Sequence, residues 1–267
     1  MKKICVYGKG GIGKSTTVAN VAAVMAHMGK QVAVVGCDPK ADTTRCLMGK
    51  RIPTVLDQQR ISQGAQIAFT GYQDILCMES GGPEPGTGCA GRGIVAALRE
   101  IQSRDLFETR EVVLYDVLGD VVCGGFSMPL REEIADEVYL VTTADFMALY
   151  AANNICRGIL KYAVSGSVRL AGIIYNERSG IQQRERVERF AERIGTQIVG
   201  CIPMSQEIAL AESRRKTVIQ EYPDSPAAAA FAGLAEAMLG PAQLCIPQPL
   251  CEEELEELCM QTTGGIE

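Results

Sequence analysis

Residues 8–15, which read Gly-Lys-Gly-Gly-Ile-Gly-Lys-Ser, restrict the possible folds of this 267-residue chain more strongly than any other segment. They satisfy the pattern G-x-x-x-x-G-K-[S/T], follow the apolar run 2–7 and open the helix-like run 15–28. Between a strand and a helix such a loop binds phosphate, because glycines let backbone N–H groups face the ligand and the helix N-terminus adds partial positive charge. A tight turn that binds nothing is the alternative, which this context disfavours. The predicted phosphate-binding glycines are Gly8, Gly10, Gly11 and Gly13.

The side chains of this loop and of the residue after it have predicted roles. Lys14 is expected to reach the β- and γ-phosphates of a nucleotide, and Ser15 to ligate Mg²⁺. Thr16 is also expected to contact the nucleotide. Lys9 cannot easily bend back to the phosphates of its own loop, so we expect it to cross a dimer interface to the partner's nucleotide, as an arginine finger acts in trans. In this respect it resembles the signature lysine of deviant Walker A ATPases.

Strand-like and helix-like runs alternate along the chain, and the strand-like runs are almost continuously apolar. This pattern is typical of a parallel sheet covered by helices on both faces. We therefore predict an α/β fold, a single-domain P-loop NTPase of the deviant Walker A type, over residues 1–240, followed by a surface tail over 241–267 in which residues 251–259 could form a short helix. Residues 49–72 are expected to be an irregular excursion. The further predicted strands are 31–36, 74–78, 111–116, 137–142, 168–175 and 197–202, and the further predicted helices are 93–103, 146–163, 182–194, 205–214 and 226–239.

Acidic residues follow two of the predicted strands. Asp38 and Asp42 come after the second strand, and Asp116 ends the fourth, with Asp120 soon after it. Ligands bind at the carboxyl ends of strands in open α/β sheets, so these carboxylates are expected beside the phosphate loop. Asp116 is predicted to hold Mg²⁺ through water, and Asp38 or Asp120 to position and deprotonate the attacking water. Any one of these acids could instead be a helix cap or turn residue, but together with the phosphate loop they favour nucleotide hydrolysis.

Two cysteines lie in glycine-rich segments that suit metal ligation. Cys89 stands in Gly-Thr-Gly-Cys-Ala-Gly-Arg-Gly, and Cys123 follows Asp116 in Asp-Val-Leu-Gly-Asp-Val-Val-Cys-Gly-Gly. Glycines let backbone N–H groups approach cluster sulfurs, and a four-iron cluster takes four thiolates. The simplest arrangement is a two-fold dimer in which each subunit donates both cysteines to one shared cluster. Two alternatives stay open, since other cysteines could complete a site within the chain, or both thiols could be inert.

Charge and composition disfavour several other classes of protein. The net charge is −6 and the pI about 5.1, which disfavours general binding to nucleic acid or to anionic lipid. The apolar runs are of strand length, so no membrane span is expected, and no targeting segment is recognisable, which favours the cytoplasm. The 11 cysteines are an odd number in a chain without a recognisable signal peptide, which disfavours a disulfide framework.

Several longer segments resemble the nitrogenase iron protein family. Its wider membership includes reductases that serve nitrogenase-like catalytic partners, such as those of dark protochlorophyllide reduction. The similarity covers roughly residues 2–240, and its motifs are highly specific. The segments that carry it are the phosphate loop with the threonines after it, Val-Gly-Cys-Asp-Pro-Lys-Ala-Asp at 35–42, and residues 79–93, 115–126, 150–155 and 162–169.

The resemblance implies a homodimer with MgATP at each phosphate loop and one [4Fe-4S] cluster, held by Cys89 and Cys123 of each subunit. It also implies electron delivery, coupled to ATP hydrolysis, to a separate nitrogenase or nitrogenase-like component, with ferredoxin or flavodoxin as the upstream donor. The matching residues are Asp120 for the water-activating acid, Lys9 for the trans-acting lysine, Asp38 and Asp42 for the first switch, Arg92 for the docking face, Asn176 for an adenine contact and Glu212 for an adenosine contact.

The chain also departs from nitrogenase iron proteins. Residues 202–206 read Ile-Pro-Met-Ser-Gln where those proteins usually have Val-Pro-Arg-Asp-Asn, Ala209 replaces a glutamine, and residues 51–72 and the acidic tail are unfamiliar. These differences favour a nitrogenase-like reductase with another partner, and a nitrogenase reductase is the alternative. Two rivals come from other classes. A ParA/MinD-like positioning ATPase needs a basic DNA face or a membrane-binding helix, and an iron–sulfur scaffold ATPase usually carries Cys-x-x-Cys, which this sequence lacks.

Overall fold

The computed structural model describes residues 1–62, 64–83, 89–119, 128–131, 134–163, 166–178 and 183–260. No helix in these ranges is both long enough and apolar enough to cross a membrane. The strands are β1 (Lys2–Tyr7), β2 (Val32–Cys37), β3 (Phe69–Thr70), β4 (Leu76–Glu79), β5 (Val112–Val117), β6 (Glu137–Thr142), β7 (Arg169–Asn176) and β8 (Ile198–Ile202). The helices are α1 (Lys14–His27), α2 (Arg45–Met48), α3 (Val55–Ile61), α4 (Ala90–Gln102), α5 (Met128–Arg131), α6 (Phe146–Ala163), α7 (Arg184–Ile194), α8 (Gln206–Ser213), α9 (Val218–Glu221), α10 (Pro226–Leu239) and α11 (Glu252–Met260).

The strands of the described ranges form one eight-stranded sheet in the order β3-β4-β2-β5-β1-β6-β7-β8. Neighbouring strands are parallel, except that the short edge strand β3 runs antiparallel to β4. Every residue of β2, β5 and β6 is buried, because helices cover both faces of the sheet and each face carries its own apolar cluster. The predicted fold class, an α/β P-loop domain with a mostly parallel sheet, is confirmed.

The phosphate loop leaves the middle of the sheet, because β1 lies between β5 and β6. One row of residues crosses the sheet near this point. Val6 pairs with Asp116, Asp116 with Gly36, and Gly36 with Glu79. Since parallel strands bring their carboxyl ends to one edge, the loops that follow β1, β2, β4 and β5 meet at this edge.

Helix α3 lies in a region that was expected to be irregular, residues 49–72. Thr54 caps the helix, because its hydroxyl oxygen accepts a hydrogen bond from the backbone N–H of Asp57 at 3.1 Å. Gln59 then donates from Nε2 to Glu100 Oε2 on α4 at 3.0 Å. The prediction missed this helix because the segment is short and polar, and its position depends on the contact with α4.

The residues after 240 pack on the main body as far as residue 260. Cys245 pairs with Leu170 of β7 through backbone hydrogen bonds of 2.9 and 3.0 Å. The side chain of Asn153 on α6 exchanges two hydrogen bonds with the backbone of Leu250, each 2.9 Å long. Helix α11 then buries Leu255 in the same apolar cluster as α6 and α7. This segment therefore covers apolar surface that α6 and α7 would otherwise expose.

Candidate nucleotide and cluster site

The phosphate loop contains a buried ammonium group with unused hydrogen-bonding capacity. Lys14 opens α1 and is only 6% exposed. Within the described residues its Nζ donates one hydrogen bond, to the backbone oxygen of Lys9 at 3.2 Å, although an ammonium group has three donors. Burial lowers the pKa of Lys14, and the nearby carboxylate of Asp116 opposes that shift. A ligand that brings negative charge, such as phosphate, would satisfy this group.

The backbone of the loop leaves room for such a ligand. A Cβ atom added at Gly10 or Gly11 would meet open space, and Gly11 and Gly13 adopt φ angles of 73° and 98° that favour glycine. Helix α1 begins directly after Gly13 without a side-chain cap, so the N–H groups of its first turn have no acceptor within the helix. These groups are available to the phosphates of a nucleotide.

Asp116 connects the phosphate loop to the loop after β2. Its Oδ2 accepts hydrogen bonds from Ser15 Oγ at 2.6 Å and from Thr43 Oγ1 at 2.7 Å. Its Oδ1 is buried and has no partner among the described residues. Burial raises the pKa of this carboxyl, while the Lys14 ammonium acts in the opposite direction. A carboxylate oxygen without a partner, beside a serine hydroxyl, is a donor set that fits Mg²⁺ and its waters, so the residues present fit MgATP.

Asp38 and Asp42 lie at the same edge, in the loop after β2. Asp38 Oδ1 accepts a hydrogen bond from the backbone N–H of Lys40 at 2.9 Å, which stabilises a turn at the start of the loop. Both carboxylates act to raise the pKa of Lys14, so both stand close enough to interact with its ammonium. The structure thus brings Asp38 and Asp42 to the phosphate loop, whereas Asp120 lies outside the described residues.

A pocket of about 250 Å³ lies beside the first turns of α1. Asn176, the last residue of β7, lines it and donates from Nδ2 to the backbone oxygen of Ile12 at 2.7 Å. Glu212 lines it from α8, where its Oε1 accepts a hydrogen bond from Thr16 Oγ1 at 2.9 Å. Met204, one of the residues that depart from the family pattern, also lines the pocket. Thr16, Asn176 and Glu212, which were predicted to contact the nucleotide, therefore line one cavity next to the phosphate loop.

Glu79, the last residue of β4, is a buried carboxyl that the sequence reasoning missed. Its Oε1 accepts hydrogen bonds from the backbone N–H of Thr44 at 2.6 Å and from Thr44 Oγ1 at 2.7 Å. Its Oε2 is buried and has no partner among the described residues. Burial raises the pKa of Glu79 to about 8, and the two hydrogen bonds from Thr44 limit the rise. An acid that ends an apolar strand is a signal that could have drawn attention to it, as it did to Asp116.

Replacing Glu79 with Gln is expected to flatten the pH dependence of stability. The carboxyl has a pKa of about 8 in the folded chain against an ordinary value of 4.5, so between these pH values the folded state holds more protons than the unfolded state. The free energy of unfolding therefore falls as the pH rises, by up to about 1.4 kcal/mol per pH unit from this group. Glutamine does not titrate and removes this slope. Urea unfolding of both proteins from about pH 5 to pH 8 measures it, and equal slopes would contradict the expectation.

Cys89 lies at the start of α4, in the N-cap position, and is exposed. A helix N-terminus stabilises nearby negative charge, so this exposed position fits a thiolate ligand of a cluster. Arg92 is also exposed, and its backbone N–H donates to the backbone oxygen of Cys89 at 3.1 Å. Leu56 and Gln59 of α3 line a groove of about 480 Å³ together with Cys89 and Arg92. The second predicted ligand, Cys123, lies outside the described residues.

Other cysteines are poor candidates for ligands. Cys5, Cys37, Cys77 and Cys156 are fully buried, and burial raises the pKa of each thiol. Over the ranges that the structure describes, no group of three His, Cys, Asp or Glu side chains could hold a metal ion. For these ranges, a cluster site completed within one chain has no support.

Solved structures with the same fold include ATPases of the MinD and ParA families. The cell division ATPase MinD of Pyrococcus furiosus matches with a TM-score of 0.69 at 19% identity, over 89% of this chain and 98% of that chain. A ParA family ATPase from Chlorobium tepidum matches with a TM-score of 0.67 at 18% identity, over 88% of this chain and 98% of that chain. At these identities the likeness shows the fold alone. Fold and phosphate loop together define a single-domain α/β protein with a P-loop NTPase-like fold, the architecture of MinD and ParA.

Comparison of sequences identifies the family. The family of 4Fe-4S iron sulfur cluster binding proteins, NifH/frxC family, matches residues 2–264. The chain is 50% identical over 266 residues to a nitrogenase iron protein of Methanococcus voltae, covering 97% of this chain and 95% of that protein. It is 49% identical over 261 residues to nitrogenase iron protein 2 of Methanothermobacter thermautotrophicus, covering 96% and 97%. The chain belongs to the NifH/frxC family, and its cofactors are a [4Fe-4S] cluster and MgATP, as the resemblance implied.

Proposed function

We propose that this chain is the ATP-dependent reductase component that delivers low-potential electrons from a [4Fe-4S] cluster to a nitrogenase or nitrogenase-like catalytic partner. Its family supports an electron-transfer reductase component. The observation that carries the proposal is the Asp116 carboxylate near the carboxyl end of β5, which accepts hydrogen bonds from Ser15 of the phosphate loop and from Thr43 of the loop after β2. Cys123 stands seven residues after Asp116 in the sequence, so the nucleotide site and a cluster thiol belong to one short segment of the chain.

In the proposed homodimer, each subunit supplies Cys89 and Cys123 to one cluster on the two-fold axis. A four-iron cluster takes four thiolates, and two cysteines in glycine-rich loops are half of that number. The bound cluster supplies one-electron chemistry at low potential. The chain's own contribution is to hold the thiolates and to bring backbone N–H groups close to the sulfurs.

The nucleotide-binding residues divide the work of holding MgATP. Lys14 neutralises charge on the β- and γ-phosphates, and Ser15 and Asp116 hold Mg²⁺ and its waters. Asn176 and Glu212, with Thr16, contact the nucleoside in the pocket beside α1. This assignment uses the donors of Lys14 and the oxygen of Asp116 that have no partner within the described part of the chain.

Asp38 or Asp120 positions and deprotonates the attacking water in this proposal. Asp38 stands in the loop after β2, near Lys14. Asp120 directly follows Gly119, and a Cβ atom added at Gly119 would lie 2.0 Å from the backbone oxygen of Gly8. The loop after β5 is therefore pressed against the phosphate loop immediately before Asp120, which supports a place for Asp120 beside the phosphates.

Two exposed cations serve interactions with other chains. Lys9 is exposed at the tip of the phosphate loop, where it is accessible to the nucleotide of a partner subunit. Arg92 is exposed next to Cys89, on the face where a catalytic partner would approach the cluster. Ferredoxin or flavodoxin is the proposed electron donor.

Nucleotide-dependent removal of iron tests the proposed function. The protein is purified without oxygen, and extraction of iron by a chelator is followed by absorbance without nucleotide, with MgADP and with MgATP. We expect MgATP to accelerate extraction by about 5-fold or more, since typical coupling between two sites lies in that range. Asp116→Asn should retain the cluster but lose the acceleration. If the purified protein contains no iron, it is better explained as a positioning ATPase. If it passes its cluster to acceptor proteins without transferring electrons, it is better explained as an iron–sulfur scaffold. Either outcome would overturn the proposal.

A further inference from the structure

A second carboxyl, besides Asp116, reaches the loop after β2. Asp116, Gly36 and Glu79 are paired across three adjacent parallel strands, so their side-chain positions face the same side of the sheet. Gly36, in the middle, has no side chain. A Cβ atom there would lie 1.9 Å from Glu79 Oε2 and 2.9 Å from Thr43 Oγ1. The space above Gly36 is therefore filled by the Glu79 carboxyl and by a hydroxyl from the loop.

Two consecutive threonines of this loop are held by two different carboxyl groups. Thr43 donates to Asp116 on β5, and both donors of Thr44 bond to Glu79 on β4 at 2.6 and 2.7 Å. All four residues are at most 1% exposed. Buried polar groups without hydrogen bonds are energetically costly. These hydrogen bonds therefore hold the end of the loop after β2 (residues 38–44) to both β4 and β5.

Strand β4 ends at Glu79, and the described residues 80–83 follow it on the N-terminal side of Cys89 in the sequence. Ser80 continues the pairing with β2, because its backbone N–H donates to the backbone oxygen of Gly36 at 2.8 Å. A Cβ atom added at Gly82 would lie 2.6 Å from the Cβ of Pro39. The backbone of residue 82 therefore packs closely against Pro39 of the loop after β2. Because this contact is close-packed, we expect a movement of Pro39 to displace residue 82.

We propose that Glu79 is a positioning residue that, together with the Gly82–Pro39 contact, transmits the nucleotide state of residues 38–44 to the Cys89 loop. The cluster then has two connections to ATP, one through Asp116 toward Cys123 and one through Glu79 toward Cys89. This inference rests on the proposed function and extends it. When nucleotide moves the loop, Thr44 carries Glu79 with it, and β4 shifts the residues that lead to Cys89.

The chemistry of Glu79 suits a hydrogen-bonding link. Because burial raises its pKa to about 8, the carboxyl carries a proton at neutral pH. A neutral acid holds Thr44 through Oε1 without adding negative charge beside Asp116 and the phosphates. Glutamine reproduces this neutral form, since its carbonyl oxygen can accept both hydrogen bonds from Thr44.

Hydrogen exchange measured by mass spectrometry, with and without MgATP, tests the link independently of electron transfer. In the wild-type protein MgATP should slow or accelerate exchange at residues 38–44 and also at residues 80–82. In Glu79→Ala the response at 38–44 should remain, and the response at 80–82 should be lost. The MgATP acceleration of iron chelation should be weakened but not abolished, because the connection through Asp116 remains. Glu79→Gln should stay within about 2-fold of wild type.

Matched variants separate this role from a general loss of stability. Glu100→Ala removes another partly buried carboxyl, on the same helix as Cys89, that bonds Gln59 and Arg104 and has no hydrogen bond to residues 38–44. It should leave the MgATP response intact. If Glu79→Ala does not fold, Thr44→Val removes only the hydroxyl bond and should weaken the response.

The outcomes distinguish this inference from the proposed function. An unchanged response at residues 80–82 in Glu79→Ala would overturn the link, and equal losses in Glu79→Gln and Glu79→Ala would overturn its hydrogen-bonding basis. A wild-type protein without a cluster would overturn the proposed function, while the exchange measurement would still report on the link.

Discussion

Replacing Lys14 with Ala is expected to lower the rate of MgATP hydrolysis by about 10²–10³-fold. An enzyme typically loses this much catalytic rate when one hydrogen-bond donor that stabilises the charge developing in the transition state is removed. Lys14 meets that description, since its ammonium is 6% exposed, follows the glycine-rich loop and donates only to the backbone oxygen of Lys9 among the described residues. Its loss also leaves the Asp116 carboxyl without its main neighbouring cation, which should weaken Mg²⁺ binding. Phosphate release measured at saturating MgATP gives the rate.

Lys30→Ala is the matched control for this prediction. Lys30 is an exposed lysine that bonds Glu111 at 2.8 Å at the opposite end of the strands from the phosphate loop. Because exposed ion pairs contribute little to stability, its removal should leave both folding and hydrolysis unchanged. Hydrolysis by Lys14→Ala within 10-fold of the wild-type rate would show that the loop does not bind the phosphates as proposed.

Replacing Cys89 with Ser is expected to remove most of the iron from the protein. A serine hydroxyl is a much weaker ligand than a thiolate, because it stays protonated at neutral pH. In the shared-cluster arrangement one substitution removes two of the four ligands, one from each subunit. The expected result is iron content near zero after anaerobic purification, together with loss of the cluster absorbance.

Cys251→Ser is the control for the cluster prediction. Cys251 is exposed, as Cys89 is, but it lies immediately before α11, in the segment after residue 240. Iron content should be that of the wild type. Normal iron in Cys89→Ser would rule out this cysteine as a ligand, and loss of iron in Cys251→Ser would point to a site in the tail instead.

The order and type of most elements could be predicted because local sequence determines them. The bounds predicted for β6, α6 and α10 coincide with those observed, and β2, β5 and β7 differ by a single residue at each end. Apolar runs and helical periodicity indicate which residues are buried. Helix-capping residues, such as Ser225 before α10, bond to backbone groups only a few positions along the chain. The phosphate loop was recognisable for the same reason, since its backbone geometry needs glycines at fixed spacing.

The elements that were missed depend on distant partners. Helix α3 is short and polar, and α4 holds it in place through the Gln59–Glu100 hydrogen bond. Glu79 and Thr44 are 35 positions apart, so no residue near Glu79 in the sequence indicates that Thr44 is its hydrogen-bond partner. The same applies to the residues after 240, whose apolar side chains have no pattern that specifies α6 and α7 as their partners.

The sequence alone predicts an α/β nucleotide-binding chain with two cysteines in glycine-rich segments and acidic residues at the ends of strands. These features are predictable because each depends on residues that are neighbours in the sequence. Tertiary structure alone decided that Ser15 and Thr43 meet on one oxygen of Asp116 and that Thr44 is held by Glu79. Hydrogen bonds of 2.6–2.7 Å tolerate little displacement, and their formation depends on the register of strands that are far apart in the chain.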